Sequence, residues 1–562
     1  MIDNILRFEV IKKLEHANRA NISQIDFGAE PRSRKRVYRD VENRLCCSKE
    51  NLAQGLKHSS NAWLLEQTNR GSLKTGLLYL KEEILCSGSI HNSSTAADAK
   101  MSYIYPIHNT TYILGDLIHV RIDLFDGSGN RKLSGGDVLR VWMEDKKTSA
   151  SVSGVASDHN NGSYSVAFRA VWSGKATIKA FLATRREEIV LLYKLYQKYS
   201  SLWSIHAVFK GKNITEKPRC FTRPNTLAQT HWCNLTQEND GFLWYCMKSK
   251  NNLTNCDMWV ETFSATNIHY KLNNSTENTI LSWSATNATP DIFRRTVPVV
   301  IKDSKFTSKL TSPPIACNRI APHLTWQRKA PNGFFYNNKW SSLLCNDTLP
   351  RTVDAYRHCL KGRTLWLHGD STSMQFHRRL RSILNLPSHA GGHTPVTDTD
   401  LKHNFSLSWH AHELPFYHGA RHYPRSTNQA QHIMMDCLPN TTKDIVVLYM
   451  YVHFTLVHPD VFRRHVRRLV PSAKNLLARA PNVTIAVRGP HAYFRPRRGM
   501  LSYWGMIYAD IWHQEFSSLW DKIIYLDFWD LTMAKPSKDF HPHVNTMKQL
   551  VHNMMSLLCF RT

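Results

Sequence analysis

The sequence predicts a multidomain chain: an antiparallel β-sandwich, then a cysteine-rich stretch, then an α/β domain built on a parallel sheet. Three observations point there. Short alternating segments, punctuated by glycine and asparagine turns, fill the region after residue 100. Four cysteines crowd into the 37 residues from Cys220 to Cys256. Beyond Pro322, apolar runs alternate with helically spaced ones, the order expected of a parallel sheet with helices on both faces.

The elements follow in order. Residues 1–95 are polar and charge-dense and are expected to be largely disordered or loosely helical, with one helical pattern over Ala62 to Leu85. In 96–210, Tyr112 to Phe125 alternates apolar and polar residues, the period of a half-buried strand. Strand-like segments at Asp137 to Met143, Ser163 to Trp172 and Lys175 to Leu182 follow, with turns at Asp126 to Gly129, Gly135-Gly136 and Asn160 to Gly162. Such regular short strands argue for a sandwich. Residues 211–322 read as a cysteine-rich tail and linker, reliant on cross-links because continuous apolar patterning is scarce.

In 323–562, Arg363 to His368 is a short apolar run leading into Gly369-Asp370-Ser371, and then a helical segment carries Phe376, Leu380, Ile383 and Leu384. Asp444 to Tyr451 is continuously apolar after its first residue, as a strand covered on both faces should be. Val461 to Arg479 reads as a basic amphipathic helix that Pro471 should kink or split. Val483 to Val487 is a strand, Tyr503 to Leu519 a helix, and Ile523 to Leu526 the last strand.

Composition narrows the function. Of 562 residues, 42% are hydrophobic and 21% charged, which excludes a collagen-like or wholly disordered chain. The 72 basic against 44 acidic residues leave +28, favouring an anionic partner: nucleic acid, acidic lipid, or a sulfated or sialylated glycan. Twelve cysteines without a CxxC suit disulfides better than zinc. Fourteen Asn-x-Ser/Thr acceptors accompany them. Together they point to an oxidising lumen or the cell exterior and away from nucleic acid. No stretch reaches the roughly 18 apolar residues of a membrane span, and the best, Ile445 to Val457, is interrupted by His453. Met1 to His16 carries scattered charges and no apolar core of signal-peptide length. A secretory-pathway protein, in the Golgi lumen or extracellular, is therefore expected to have its start upstream.

Open parallel sheets react at the carboxyl ends of their strands, and three features should land there. Ser371, at a helix start, is the candidate nucleophile. The N–H groups and dipole of that helix would face an oxyanion, with Gly369 and Asp370 as candidate oxyanion or substrate-binding residues, and Gly369 would permit the tight turn. The same residues also describe an N-cap by Asp370 or Ser371. Second, Asp539-Phe540-His541-Pro542 supplies an imidazole to take the serine proton and a carboxylate to fix its tautomer. Third, His453 at a strand end is a candidate oxyanion or substrate contact, or a satisfied strand-end histidine. The group His410, His412, Glu413, His418 and His422 matches no common zinc spacing, so no metal is expected.

These residues are familiar together. Gly369-Asp370-Ser371, preceded by Cys359-Leu-Lys-Gly-Arg-Thr-Leu-Trp366, with His541-Pro542 after Asp527-Phe-Trp-Asp530, resembles the PC-esterase domain of the neurexophilin and PC-esterase (NXPE) family. Upstream, Gly135-Gly-Asp-Val-Leu-Arg140, Asn160-Asn-Gly-Ser-Tyr164 and Trp172-Ser-Gly174 resemble its neurexophilin-like domain, and the order of Cys220, Cys233, Cys246 and Cys256 its cysteine-rich tail. The resemblance covers about residues 100 to 562. It implies an Ig-like β-sandwich joined to an SGNH-hydrolase-like (PC-esterase) α/β domain whose relatives add or remove O-acetyl groups on polysaccharides and sialic acids. Ser371 is then the acyl-accepting nucleophile and His541 its base. No bound cofactor is implied, with an acyl donor such as acetyl-CoA as cosubstrate.

Two positions depart from the family pattern. Where an Asp would stand three residues before the histidine, this chain has Lys538, leaving Asp539, with Asp530 as fallback. Where Gly-Gln would precede His453-Phe454, it has Tyr451-Val452. Two functions are therefore expected in competition. One is a luminal serine-dependent O-acyltransferase or esterase acting on an anionic glycan or glycoprotein, to which Arg463, Arg464, Arg467, Arg468, Arg495, Arg497 and Arg498 are suited; a solvated helix face and a loop is the alternative account of most of these arginines. The other is an inactive secreted ligand of a cell-surface receptor.

Overall fold

The computed structural model describes residues 93–559 except 200, 223–230, 249–253, 266–274, 284–290, 304–312, 314, 329, 388–393, 413–422, 425–429, 495–500 and 538. The expected helix over Ala62 to Leu85 lies outside them. The described residues are β-rich, forming four sheets, with helices concentrated in the C-terminal half.

Two sheets form a sandwich, as an Ig-like region would, antiparallel except where Val297–Lys302 pairs in parallel with Thr111–Ile113. The smaller runs Tyr103–Pro106, Leu117–Asp123, Ser163–Arg169, Val155–Asp158. Along Leu117–Asp123 every second residue, Ile118, Val120 and Ile122, is fully buried. These meet Val141, Met143, Ile178 and Ala180 of the facing sheet in one core. That is how period-two patterning becomes a packed layer.

The stretch expected to be one strand from Tyr112 to Phe125 is instead two, Thr111–Ile113 and Leu117–Asp123, placed in different sheets. The break falls at Gly115, whose φ of 99° is open to glycine but strained for other residues.

The larger sheet reaches beyond the predicted domain. Its order is Lys339–Ser342, Gly333–Tyr336, Ala150–Ser153, Val138–Asp145, Gly174–Thr184, Val297–Lys302, Thr111–Ile113. Val297–Lys302 comes from the expected linker, and the hairpin Gly333–Ser342 from the expected α/β domain. Alternation buries Val297, Val299 and Ile301, a signal legible in the sequence but too short to assign to a sheet.

The cysteine-rich stretch builds a third sheet around Trp244, Trp259 and two disulfides, Cys220–Cys246 and Cys233–Cys256. Cys220 and Cys246 face each other across paired strands. Cross-links and indole rings here do the work of a larger core.

The fourth sheet has the order Val396–Asp400, Phe405–His410, Thr364–His368, Ile445–Leu448, Thr484–Arg488, Ile524–Leu526. All neighbours are parallel except the first pair. Ile445 and Val447 pack with the helices Val353–Leu360, Ser371–Ile383 and Val544–Leu558 on one face. Val446 and Leu448 pack with Pro459–Arg479 and Tyr503–Glu515 on the other. This explains why the segment reads as uninterruptedly apolar. Pro459–Arg479 runs unbroken through Pro471 rather than splitting. That proline stands on the exposed face, beside Arg467, whose carbonyl loses a donor where solvent can serve it.

The helix Arg186–Tyr199 was not legible as such. Its Ile189, Leu192, Tyr193 and Tyr196 are buried in the same core as Tyr451, Phe454 and Trp504, so the sandwich half and the parallel-sheet half share packing. Cys317–Cys345 and Cys359–Cys559 close the α/β half, the latter joining the ends of two helices.

Candidate active site

The strand Thr364–His368 ends at Gly369, and the chain turns at once into the helix Ser371–Ile383. The turn needs glycine: φ is 127°, and a Cβ there would lie 2.6 Å from Tyr449 Cδ1. Asp370 is the N-cap, its Oδ1 accepting the N–H of Thr372 at 2.9 Å and its hydroxyl at 2.6 Å. Its Oδ2 accepts the Val452 N–H at 2.9 Å. Burial would raise the Asp370 pKa, but His453, the Thr372 hydroxyl, Arg488 and His412 outweigh it and bring it down to about 2. Asp370 is thus a buried anion that clamps the start of the Ser371 helix.

His541 reaches the same sheet edge from the segment between the helices Trp529–Ala534 and Val544–Leu558. Its Nε2 lies 2.8 Å from Ser371 Oγ. The two residues, 170 apart in sequence, form the Ser–His pair, and both are partly exposed.

The histidine is positioned by its neighbours. Phe540 is buried beside it, ring centroids 4.2 Å apart. His491 Nε2–H donates to the Phe540 carbonyl at 2.7 Å, since a carbonyl can only accept. Burial holds the His491 pKa down at about 3, so the ring stays neutral. Its Nδ1 then faces the Tyr449 hydroxyl at 3.4 Å.

The remaining expected residues divide. Asp539 Oδ1 stands 3.9 Å from His541 Nδ1, beyond hydrogen-bond range, and accepts the His541 backbone N–H at 3.3 Å. Asp530 does not serve His541. It is buried and accepts the Asn332 N–H at 2.8 Å, while Ser153 of the sandwich also bonds to it. Burial, then the neighbouring Asp527, push its pKa up to about 7. Its place in the sequence gave no hint that the sandwich would claim it.

Gly369 and Asp370 serve the turn rather than an oxyanion. The Gly369 N–H donates to the His410 carbonyl at 3.0 Å, and the Asp370 carboxylate can only accept. The Val452 N–H, a strand-end donor, is spent on Asp370. The backbone N–H of Ser371 stands at the first position of its helix, among those that find no acceptor within the helix. His453 is buried in the turn Val452–Leu456, its Nδ1 2.6 Å from His412 Nε2.

Glu413, His418 and His422 lie outside the described residues, and His410 bonds to Ser408 at 3.0 Å. Among the described residues no group of His, Cys, Asp and Glu could hold a metal ion. Of the candidate glycan-binding arginines, Arg463 and Arg467 pair with Glu515 at 2.7 and 2.9 Å, and Arg495, Arg497 and Arg498 lie outside the described residues.

Sequence reasoning missed Thr372, Tyr449, Arg488 and His491. Arg488 is fully buried, its guanidinium 3.9 Å from the Tyr449 ring centroid and 4.2 Å from that of Phe376. A charged residue closing the apolar strand Thr484–Arg488, three before His491, was the available signal.

The family model described as NXPE family member 4-like, C-terminal domain, matches residues 340–559. That range contains both Ser371 and His541. Among solved structures, the Lin-41 filamin domain is 19% identical over 16% of this chain and 83% of its own, with a TM-score of 0.14. The Escherichia coli adhesin FdeC is 10% identical over 37% of this chain and 66% of its own, with a TM-score of 0.14. Both likenesses are too slight to bear on this chain's fold.

Proposed function

The chain belongs to the NXPE family, and on that premise we propose that it is a secretory-pathway glycoprotein whose SGNH-hydrolase-like C-terminal domain transfers or removes O-acyl groups on glycan hydroxyls. The observation that carries this reading is the 2.8 Å contact between Ser371 Oγ and His541 Nε2 at the carboxyl edge of a parallel sheet. Four disulfides among the described residues support an oxidising compartment. No described helix is long and apolar enough to cross a membrane.

In this reading His541 Nε2 takes the Ser371 proton as Oγ attacks the acyl carbonyl carbon of a donor such as acetyl-CoA. The oxyanion forms at the N-terminus of the Ser371 helix, near the Ser371 N–H. Collapse expels the donor's thiolate or alkoxide, which receives the proton from His541. A sugar hydroxyl or water then attacks the acyl-Ser371 ester, giving its proton to His541. Breaking the ester bond returns that proton to Ser371. An anionic glycan or glycoprotein is the proposed acceptor, matching the basic surplus of +28.

The test is labelling of purified protein by a fluorophosphonate. Labelling is expected at Ser371, absent in Ser371→Ala and lowered about a thousandfold in His541→Ala. Asp539→Asn should lose less than about tenfold, since its carboxylate is 3.9 Å away and half-exposed. Well-folded protein that takes no label would sink the enzyme reading.

A second reading, a secreted ligand of a cell-surface receptor, is favoured by the diversion of the Gly369 and Val452 amides from the site. Under it, Ser371→Ala leaves receptor binding intact, whereas reducing Cys220–Cys246 and Cys233–Cys256 removes it.

A further inference from the structure

Arg140 belongs to the sandwich strand Val138–Asp145, yet its side chain ends in the α/β half. It is 2% exposed. One guanidinium nitrogen donates to the Tyr493 carbonyl and another to the Ser502 hydroxyl, two residues that flank the segment 495–500. The charge lies between the rings of Phe494 and Trp529, 5.9 and 5.5 Å from their centroids. Phe494 itself packs against Phe181 and Trp142 of the sandwich, centroids 4.5 and 5.4 Å away.

The stretch 491–494, held at Tyr493 in this way, is the one that grips the histidine. The Phe494 N–H donates to the Ser537 carbonyl at 2.9 Å. His491 donates to the Phe540 carbonyl at 2.7 Å, and Ala492 N–H to the Thr532 hydroxyl at 2.8 Å. Ser537, Phe540 and Thr532 bracket or support His541, whose Nε2 meets Ser371. Three layers of contact therefore run from Arg140 to the imidazole, each made of named hydrogen bonds or ring contacts.

We infer that Arg140 is a positioning residue for His541, so that the sandwich is a working part of the active site and not an independent module. The inference rests on the serine-enzyme reading for its catalytic meaning, but the mechanical link stands on the contacts alone. An imidazole displaced by about 1 Å from its serine is enough to cost a large factor in rate.

The test uses the full chain. Arg140→Met keeps an aliphatic stem against Phe494 and Trp529 while removing every donor, and Arg140→Lys returns a cation with fewer donors. Fluorophosphonate labelling of Ser371 should slow at least tenfold at saturating probe in Arg140→Met. The half-saturating probe concentration should not change, and Arg140→Lys should recover part of the rate. Hydrogen exchange should quicken at the Phe494 amide and across Asp539 to His543, but not along the helix Ser371–Ile383.

A folded Arg140→Met that labels at the wild-type rate, with unchanged exchange around His541, overturns the inference. Wild-type protein that takes no label would defeat the serine-enzyme reading separately, and the exchange comparison would still decide whether Arg140 holds the histidine. Should Arg140→Met fail to fold, Phe494→Leu replaces it, with an expected threefold slowing; no slowing and no change in exchange there counts against the link equally.

Discussion

Asp370 accepts the backbone N–H of Val452 at 2.9 Å, binding the turn that precedes Ser371 to the turn after the neighbouring strand Ile445–Leu448. The carboxylate's other oxygen takes both donors of Thr372. One buried anion thus sets the relative height of two strand ends, and with it the point at which the nucleophile is presented.

Asp370→Asn should therefore destabilise the fold by about 2 kcal/mol at neutral pH, the worth of a pKa lowered from 3.8 to about 2. The sign follows from the depression. The ionised form stabilises the fold above pH 4, and that contribution is lost as pH falls through about 2. The difference between wild type and Asp370→Asn should shrink below pH 4. Urea denaturation at pH 7 and pH 3 measures it, and an undiminished difference at the lower pH would be the wrong result.

Six buried or half-buried histidines predict a broader acid sensitivity. Burial, first among the causes, lowers the pKa of His368, His432, His465 and His491 to about 3, and of His410 and His513 to about 4. The unfolded chain protonates these rings near 6.5, so below that pH it binds more protons than the fold. Stability should fall with acidification below about pH 6.5, as the unfolded rings take up protons that the folded ones refuse. A urea midpoint that stays flat from pH 7 to pH 5 contradicts this.

The four disulfides should rank by the chain they close. Cys359–Cys559 spans 200 residues and Cys220–Cys246 spans 26. In the chain-entropy account these contribute about 5 and about 3.5 kcal/mol. Replacing both members of each pair by alanine, and comparing chemical denaturation, should show the larger loss for Cys359 and Cys559. The reverse order would mean that native packing, rather than loop size, decides.

The sequence by itself determined the local features: the apolar runs Thr364–His368 and Ile445–Leu448, the Gly-Asp-Ser turn, and a histidine set just before a final helix. Each is written in spacing or residue type within a dozen positions, which is the range over which backbone sterics and side-chain periodicity act. Placing both at one sheet edge paired Ser371 with His541, as the family resemblance also implied, and the fold brings the two within 2.8 Å. Tertiary structure alone decided the partners of residues that local pattern cannot place. Asp530 went to Asn332 and Ser153, His453 to His412, and Arg140 crossed from the sandwich to Tyr493 and Ser502. A buried polar group must find whatever complementary group the packed chain brings to it, and that choice depends on segments up to several hundred residues away.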